Sequence, residues 1–200
     1  MKRLLWVFLA VLVVAGPVAA QMGSQPSGFT SHFSEDTQLA FYYPRDWYVA
    51  DGDGNLAIMS RAALADQMEL DEPDLQPGDT VVIVGIIPTM LMAMMGVPVD
   101  DVDTILSGMF DTMIAQAGEV ENGETAGHTF GARSVASVLF DDAEEEFSGM
   151  MLVAHEQDEV IVFAVAMGFR EDLLRRREVV AEIVSTVEFT GDLESMLMGQ

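Results

Sequence analysis

Thr37-Gln38-Leu39-Ala40-Phe41-Tyr42-Tyr43-Pro44-Arg45-Asp46-Trp47 is an alternating aromatic stretch, stopped by proline and followed at once by tryptophan. Leu39, Phe41 and Tyr43 fall on one face at period two, Pro44 ends the ladder, and Trp47 folds back as a large anchor. The segment therefore reads as a strand whose inner face and tail both belong to the core.

Upstream, Lys2 and Arg3 precede an apolar run from Leu4 to Ala15, then Gly16-Pro17 and the small-residue end Val18-Ala19-Ala20. This is the pattern of a secretory signal peptide over residues 1–20, with cleavage expected before Gln21. The run is 12 residues long, short of the roughly 20 a spanning helix needs, so no stable membrane anchor is expected after cleavage. The mature chain is expected to be exported, periplasmic or extracellular. Residues 21–34, rich in Gly, Ser, Gln and Pro, read as a flexible leader. One domain is expected over 35–190, with a short C-terminal tail at 191–200.

No cysteine is present, which excludes disulfides, thiolate metal sites and thiol catalysis. Of the 9 basic residues, Lys2 and Arg3 lie in the signal segment, leaving 7 arginines against 33 acidic residues and a net charge of −26. Nucleic acid and anionic lipid head groups are poor partners for such a surface. Because the acids are scattered, they read first as solubility or a saline habitat, with attraction to cations or a basic partner as the sharper alternative.

Downstream, Leu56–Ser60 reads as a strand, and Arg61–Glu69 as a short helix capped by Ser60. Asp71–Asp79 reads as a loop. Thr80–Ile87 is an uncharged run rich in Val and Ile, as expected for a central strand covered on both faces. Asp101–Ala117 carries Val102, Ile105, Leu106, Met109, Phe110, Met113, Ile114 and Ala117 on one helical face, with Asp100 or Asp101 as cap. His128–Phe140, Phe147–Ala154 and Glu159–Met167 read as strands joined by acidic turns, hence antiparallel neighbours. A last helix, Arg170–Val184, turns Leu173, Val180, Ile183 and Val184 inward, with Glu171–Arg175 and Asp172–Arg176 as i,i+4 pairs. Val187-Glu188-Phe189 closes the domain.

The aromatic strand with Tyr43-Pro44 and Trp47, the strand 56–60, the late antiparallel strands and the closing helix ending Ile183-Val184-Ser185-Thr186-Val187 resemble the PsbP/DcrB-like superfamily. The resemblance spans about Glu35 to Phe189. It implies an α+β fold, an α/β/α sandwich with a central antiparallel sheet flanked by helices. It also implies a mostly non-catalytic protein: the best-known members are extrinsic photosystem proteins of the thylakoid lumen, and bacterial relatives are exported proteins of largely unknown role. No catalytic residue is carried over. Nor is the photosystem role, since the mature chain has no lysine.

Several constellations invite chemistry. His32, His128 and His155 are far apart, each without a second histidine at ligand spacing, and read as a chance spread unless folding brings His128 or His155 beside an acid. Asp51-Gly52-Asp53-Gly54-Asn55 opens like a calcium loop, but Leu56 and Ala62 stand where glycine and glutamate are needed, so a tight turn is preferred. Asp141, Asp142, Glu144, Glu145 and Glu146 read as a solvated hairpin tip, with weak divalent binding as the minority reading. Arg175-Arg176-Arg177 reads as a structural cluster whose stems cover the core while the guanidinium groups reach carboxylates. Nucleophile elbows, phosphate loops and a Ser-His-Asp spacing are absent.

Thr89 to Val97, between Pro88 and Pro98, is uncharged and holds Met90, Met92, Met94 and Met95. It reads as a buried lid, as a binding surface for a protein or apolar ligand formed by Met90, Leu91, Met92, Met94, Met95 and Val97, or as soft thioether ligands for Cu(I). The sequence thus points to a binding or interaction module with no cofactor. Extracytoplasmic metal binding through the methionine-rich segment is the alternative.

Overall fold

The computed structural model describes residues 24–52, 55–67, 74–117, 120–121, 123–142, 147–156 and 160–193. The expected signal peptide and most of the expected tail lie outside these residues. In chain order the described elements are β1 (Phe29–Phe33), β2 (Leu39–Pro44), β3 (Tyr48–Gly52), β4 (Asn55–Met59), a 3-10 turn (Ala62–Gln67), β5 (Thr80–Pro88), α1 (Thr89–Met94) and α2 (Val102–Ala117). There follow β6 (Val120–Glu121), β7 (Thr125–Phe130), β8 (Arg133–Asp142), β9 (Ser148–Glu156), β10 (Val160–Gly168), α3 (Arg170–Ser185) and β11 (Glu188–Phe189).

A large antiparallel sheet runs β3-β4-β5-β10-β9-β8-β6, with β7 also paired to β8. Its centre is β5 against β10, where Ile87 faces Ile161 and Val84 faces Ala164 in register. Both strands are apolar because both faces are covered. On one face, Ile105, Leu106, Met109, Phe110 and Met113 of α2 pack on Ala136, Val138, Phe140, Met151, Val153, Ile161 and Phe163. On the other, Leu173, Val180, Ala181, Ile183 and Val184 of α3 pack on Val135, Leu139, Met150, Leu152 and Val162. The alternation along β8, Val135 and Leu139 to one side and Ala136, Val138 and Phe140 to the other, is the period-two rule with both faces buried. The chain forms an α/β/α sandwich with a central antiparallel sheet.

A second, three-stranded sheet, β1-β2-β11, extends the α3 layer. The aromatic stretch lies here: Leu39 and Phe41 are fully buried, and the rings of Phe41 and Tyr43 sit 5.9 Å apart on one face. Trp47 donates its backbone N–H to Pro44 O at 2.9 Å, which folds the indole back into the same core.

Four expectations are corrected and one strand is added. The stretch read as a leader contains β1, because Phe29 is buried and the strand pairs with β2 from Phe29↔Pro44 to Phe33↔Ala40; an edge strand with polar alternate positions leaves little apolar signal. The helix read after Ser60 is a 3-10 turn, and Ser60 Oγ instead accepts the Thr80 N–H at 2.9 Å. His128–Phe140 is two strands, broken at Gly131, whose φ of +61° makes the hairpin turn. Tyr48–Gly52 is a further strand, paired with β4 from Tyr48↔Met59 to Gly52↔Asn55. Asp172 pairs with Arg175 at i,i+3 rather than with Arg176, while its other oxygen accepts the Gly78 N–H at 2.6 Å.

Candidate functional site

The methionine segment leaves the central strand directly. Pro88 ends β5 opposite Val160, and α1 begins at Thr89 with no side-chain cap. Met, Leu and Ala favour helix, but six residues are too few to hold one without tertiary contacts. The far end supplies them. Gly96 has a φ of +80° and donates to Ala93 O at 3.0 Å, while Val97 donates to Met92 O at 3.1 Å. This is a Schellman motif, in which the apolar residue after the glycine packs back on the helix. Val97 and Met92 are accordingly both buried, 8% and 1% exposed, in the core beneath α2.

Val97 is seated on Gly108 of α2. A Cβ at Gly108 would lie 2.5 Å from Val97 Cγ1, so only glycine admits this approach. Above the anchor, Met90, Met94 and Met95 are 56%, 76% and 61% exposed, Ala93 and Gly96 are exposed, and Leu91 is half-buried. The six residues singled out from sequence thus divide into two anchors, Met92 and Val97, an outward group of Met90, Met94 and Met95, and Leu91 between them. The soft-ligand set of four methionines is corrected: Met92 is core and cannot join the other three. Sequence reading missed Gly108, although an isolated glycine inside a strong helical pattern is a signal of close packing.

Several of the titratable residues singled out from the sequence bond within the structure. His32 Nε2 lies 3.1 Å from Asp51 Oδ2, and Ser34 Oγ donates to Asp51 Oδ1 at 2.8 Å. The carboxylate stands between serine and imidazole, whereas nucleophile activation requires the imidazole to stand between them. Ser34 Oγ also accepts the Thr37 N–H at 3.0 Å, so the trio ties β3 to the small sheet. The same bonds occupy the first residue of the calcium-like loop; Asp53 and Gly54 lie outside the described residues. His128 lies 3.4 Å from Ser137 Oγ, and burial, then the Arg177 charge, hold its pKa below the ordinary histidine value. The His155 side chain lies outside the described residues. In the acidic run, Asp141 accepts from Ser148 Oγ at 2.6 Å and from Arg170 at 2.5 Å; residues 143–146 lie outside the described ones. Among the described residues no three His, Cys, Asp or Glu side chains gather as a metal site.

The arginine cluster covers the core as its spacing suggests. Arg176 lies over the Trp47 ring, 5.3 Å from its centroid, and Arg177, largely buried, reaches Glu124 Oε1 at 3.3 Å. A network invisible in sequence sits beside it. Arg61 grips buried Asp79 with both arms, Nε to Oδ1 at 2.9 Å and Nη2 to Oδ2 at 2.6 Å. The Arg61 bonds, together with the Gln76 N–H, hold the Asp79 carboxyl below the usual carboxylate range against the opposing effect of burial.

The architecture defines the class as an α/β/α sandwich built on a central antiparallel sheet. Solved structures similar to the chain include the solution structure of cyanobacterial PsbP from Synechocystis sp. PCC 6803, at 14% identity and a TM-score of 0.46, covering 87% of this chain and 99% of that one. LpqN of Mycobacterium tuberculosis, described as involved in cell envelope biogenesis, is similar at 12% identity and a TM-score of 0.45, over 81% and 90% of the two chains. A protein of Bacteroides thetaiotaomicron VPI-5482 is similar at 13% identity and a TM-score of 0.40, over 76% of this chain and 45% of that one. No family model and no curated protein matches the sequence. No helix among the described residues is long and apolar enough to cross a membrane.

Proposed function

We propose that the chain is an exported, non-catalytic binding module that recognises a protein or an apolar ligand through the outward face of α1. One observation carries this reading: three exposed methionines, Met90, Met94 and Met95, stand on a turn whose opposite side is pinned in the core. Methionine is flexible and polarisable, which suits a surface that adapts to an apolar partner. A pinned backbone lowers the cost of ordering it on binding. Export follows from the signal-peptide pattern of residues 1–20. The non-catalytic reading is supported by the carboxylate-centred order of Ser34, Asp51 and His32.

A fluorescence titration with the neutral apolar dye Nile red tests the reading. The mature protein is expected to bind it, and Met90→Gln/Met94→Gln/Met95→Gln to lose at least about tenfold in affinity, roughly 1.4 kcal/mol. Equal binding by both proteins removes α1 from the site. The three exposed thioethers also support a second reading, capture of Cu(I). Replacing the same residues by leucine keeps the apolar surface and deletes the sulfurs. Cu(I) affinity against a competing chelator that is unchanged by this variant eliminates the metal.

A further inference from the structure

The arginines are distributed unevenly through the layers. Arg45 donates to Phe29 O in the small sheet, Arg133 to Ser185 O and Val187 O, and Arg61 to Asp79. Arg170, Arg175, Arg176 and Arg177 all belong to α3. From Thr89 to Ala117 the chain has no Lys, Arg or His, and its charged residues are Asp100, Asp101, Asp103 and Asp111. The segment carrying the exposed methionines and α2 therefore has only acidic charges and no cation of its own.

Two of these acids lie close in sequence to the seat that holds the methionine turn. Asp111 lies three residues after Gly108, about one turn along α2, and Asp101 stands just before the helix; both are exposed. Val97, the foot of the methionine turn, rests on Gly108, while Asp100 and Asp101 stand just before the start of α2. Asp101 also caps α2, its Oδ1 accepting the Thr104 N–H at 2.8 Å, and that bond holds its pKa below the ordinary value.

From the pairing of an apolar methionine tip with a segment whose only charges are acidic, and resting on the reading of α1 as a binding face, we infer that the partner is a cationic amphipathic helix of another protein. Its apolar side covers Met90, Met94 and Met95, and its Lys or Arg side chains reach Asp100, Asp101 and Asp111. Apolar contact and charge complementarity then act together on one amphipathic helix. An anionic membrane surface meets the same acids with repulsion.

The test titrates the mature protein with a synthetic helical peptide bearing leucines on one face and lysines on the other, and with a scrambled peptide of equal composition. Calorimetry gives Kd, and methionine methyl NMR gives the location. The helical peptide is expected to bind at least about tenfold tighter than the scrambled one, with shifts at Met90, Met94 and Met95. Asp100→Asn/Asp101→Asn/Asp111→Asn, in which asparagine retains the cap, is expected to lose about tenfold for the peptide and nothing for Nile red. Equal binding of the two peptides overturns the amphipathic helix, and an unaffected Asn variant overturns the cationic partner, while Nile red binding leaves the module standing. Failure of both probes to reach the methionines removes both.

Discussion

At the residue scale, Gly108 and Asp79 lead to opposite kinds of test. Exposed or half-exposed glycine in a helix interior ordinarily gains about 1 kcal/mol on change to alanine. At Gly108 the added methyl meets Val97, whose Cγ1, Cβ and Cγ2 all lie within 3.4 Å of it, so rotation of a β-branched side chain offers no escape. Overpacking of this kind costs about 1–3 kcal/mol. Gly108→Ala is therefore expected to lower stability in urea denaturation and to shift the Val97 methyl resonances; a gain of about 1 kcal/mol would show that the seat is open. Asp79 bears on pH. Its folded pKa lies below its unfolded value of about 4, so it stabilises the fold above that pH and loses the contribution as pH falls through the folded pKa. Asp79→Asn is expected to be less stable than the parent at neutral pH, with the two denaturation midpoints converging below about pH 4. Parallel curves across the acid range would contradict the pairing with Arg61.

At the element scale, the join between the small sheet and the closing helix rests on Thr186. β11 is only two residues long, and beyond it the Tyr42 N–H is taken by Thr186 Oγ1 at 3.0 Å, while that hydroxyl lies 2.8 Å from Ile183 O. Thr186→Val keeps the shape but leaves a β2 N–H without this acceptor, at an expected cost of about 1–3 kcal/mol. Faster hydrogen exchange at Tyr42 would accompany the loss; unchanged exchange would show that the hydroxyl is dispensable. This contact also shows where sequence legibility stops. Strands β5, β9 and β10 and helices α2 and α3 announce themselves, because burial of one or both faces leaves an unmistakable apolar period. β1 and β3 do not, since edge strands keep few apolar positions, and β7 merges with β8 until a positive φ at Gly131 separates them. Side-chain ties such as Thr186 to Tyr42 join residues 144 positions apart, and no local pattern encodes them.

At the scale of the whole molecule, the sandwich separates scaffold from site. Leu39, Phe41 and Trp47 identify the scaffold and are buried in it, whereas the candidate face lies in the opposite layer, on a turn between the central strand and α2. The sequence marked that turn as unusual, an uncharged run in a chain of net charge −24. It did not reveal which methionines point outward, because six residues cannot display a helical period and the division depends on the seat at Gly108. In the proposed arrangement Met92 anchors the turn while Met90, Met94 and Met95 form its binding face. Thioether oxidation follows access to solvent, so peroxide footprinting of the intact mature protein, read by mass spectrometry, addresses it most directly. Met90, Met94 and Met95 are expected to oxidise at least about tenfold faster than Met92, and to become protected when the amphipathic peptide is bound. Oxidation of all four at one rate, or no protection by any bound probe, would contradict the account.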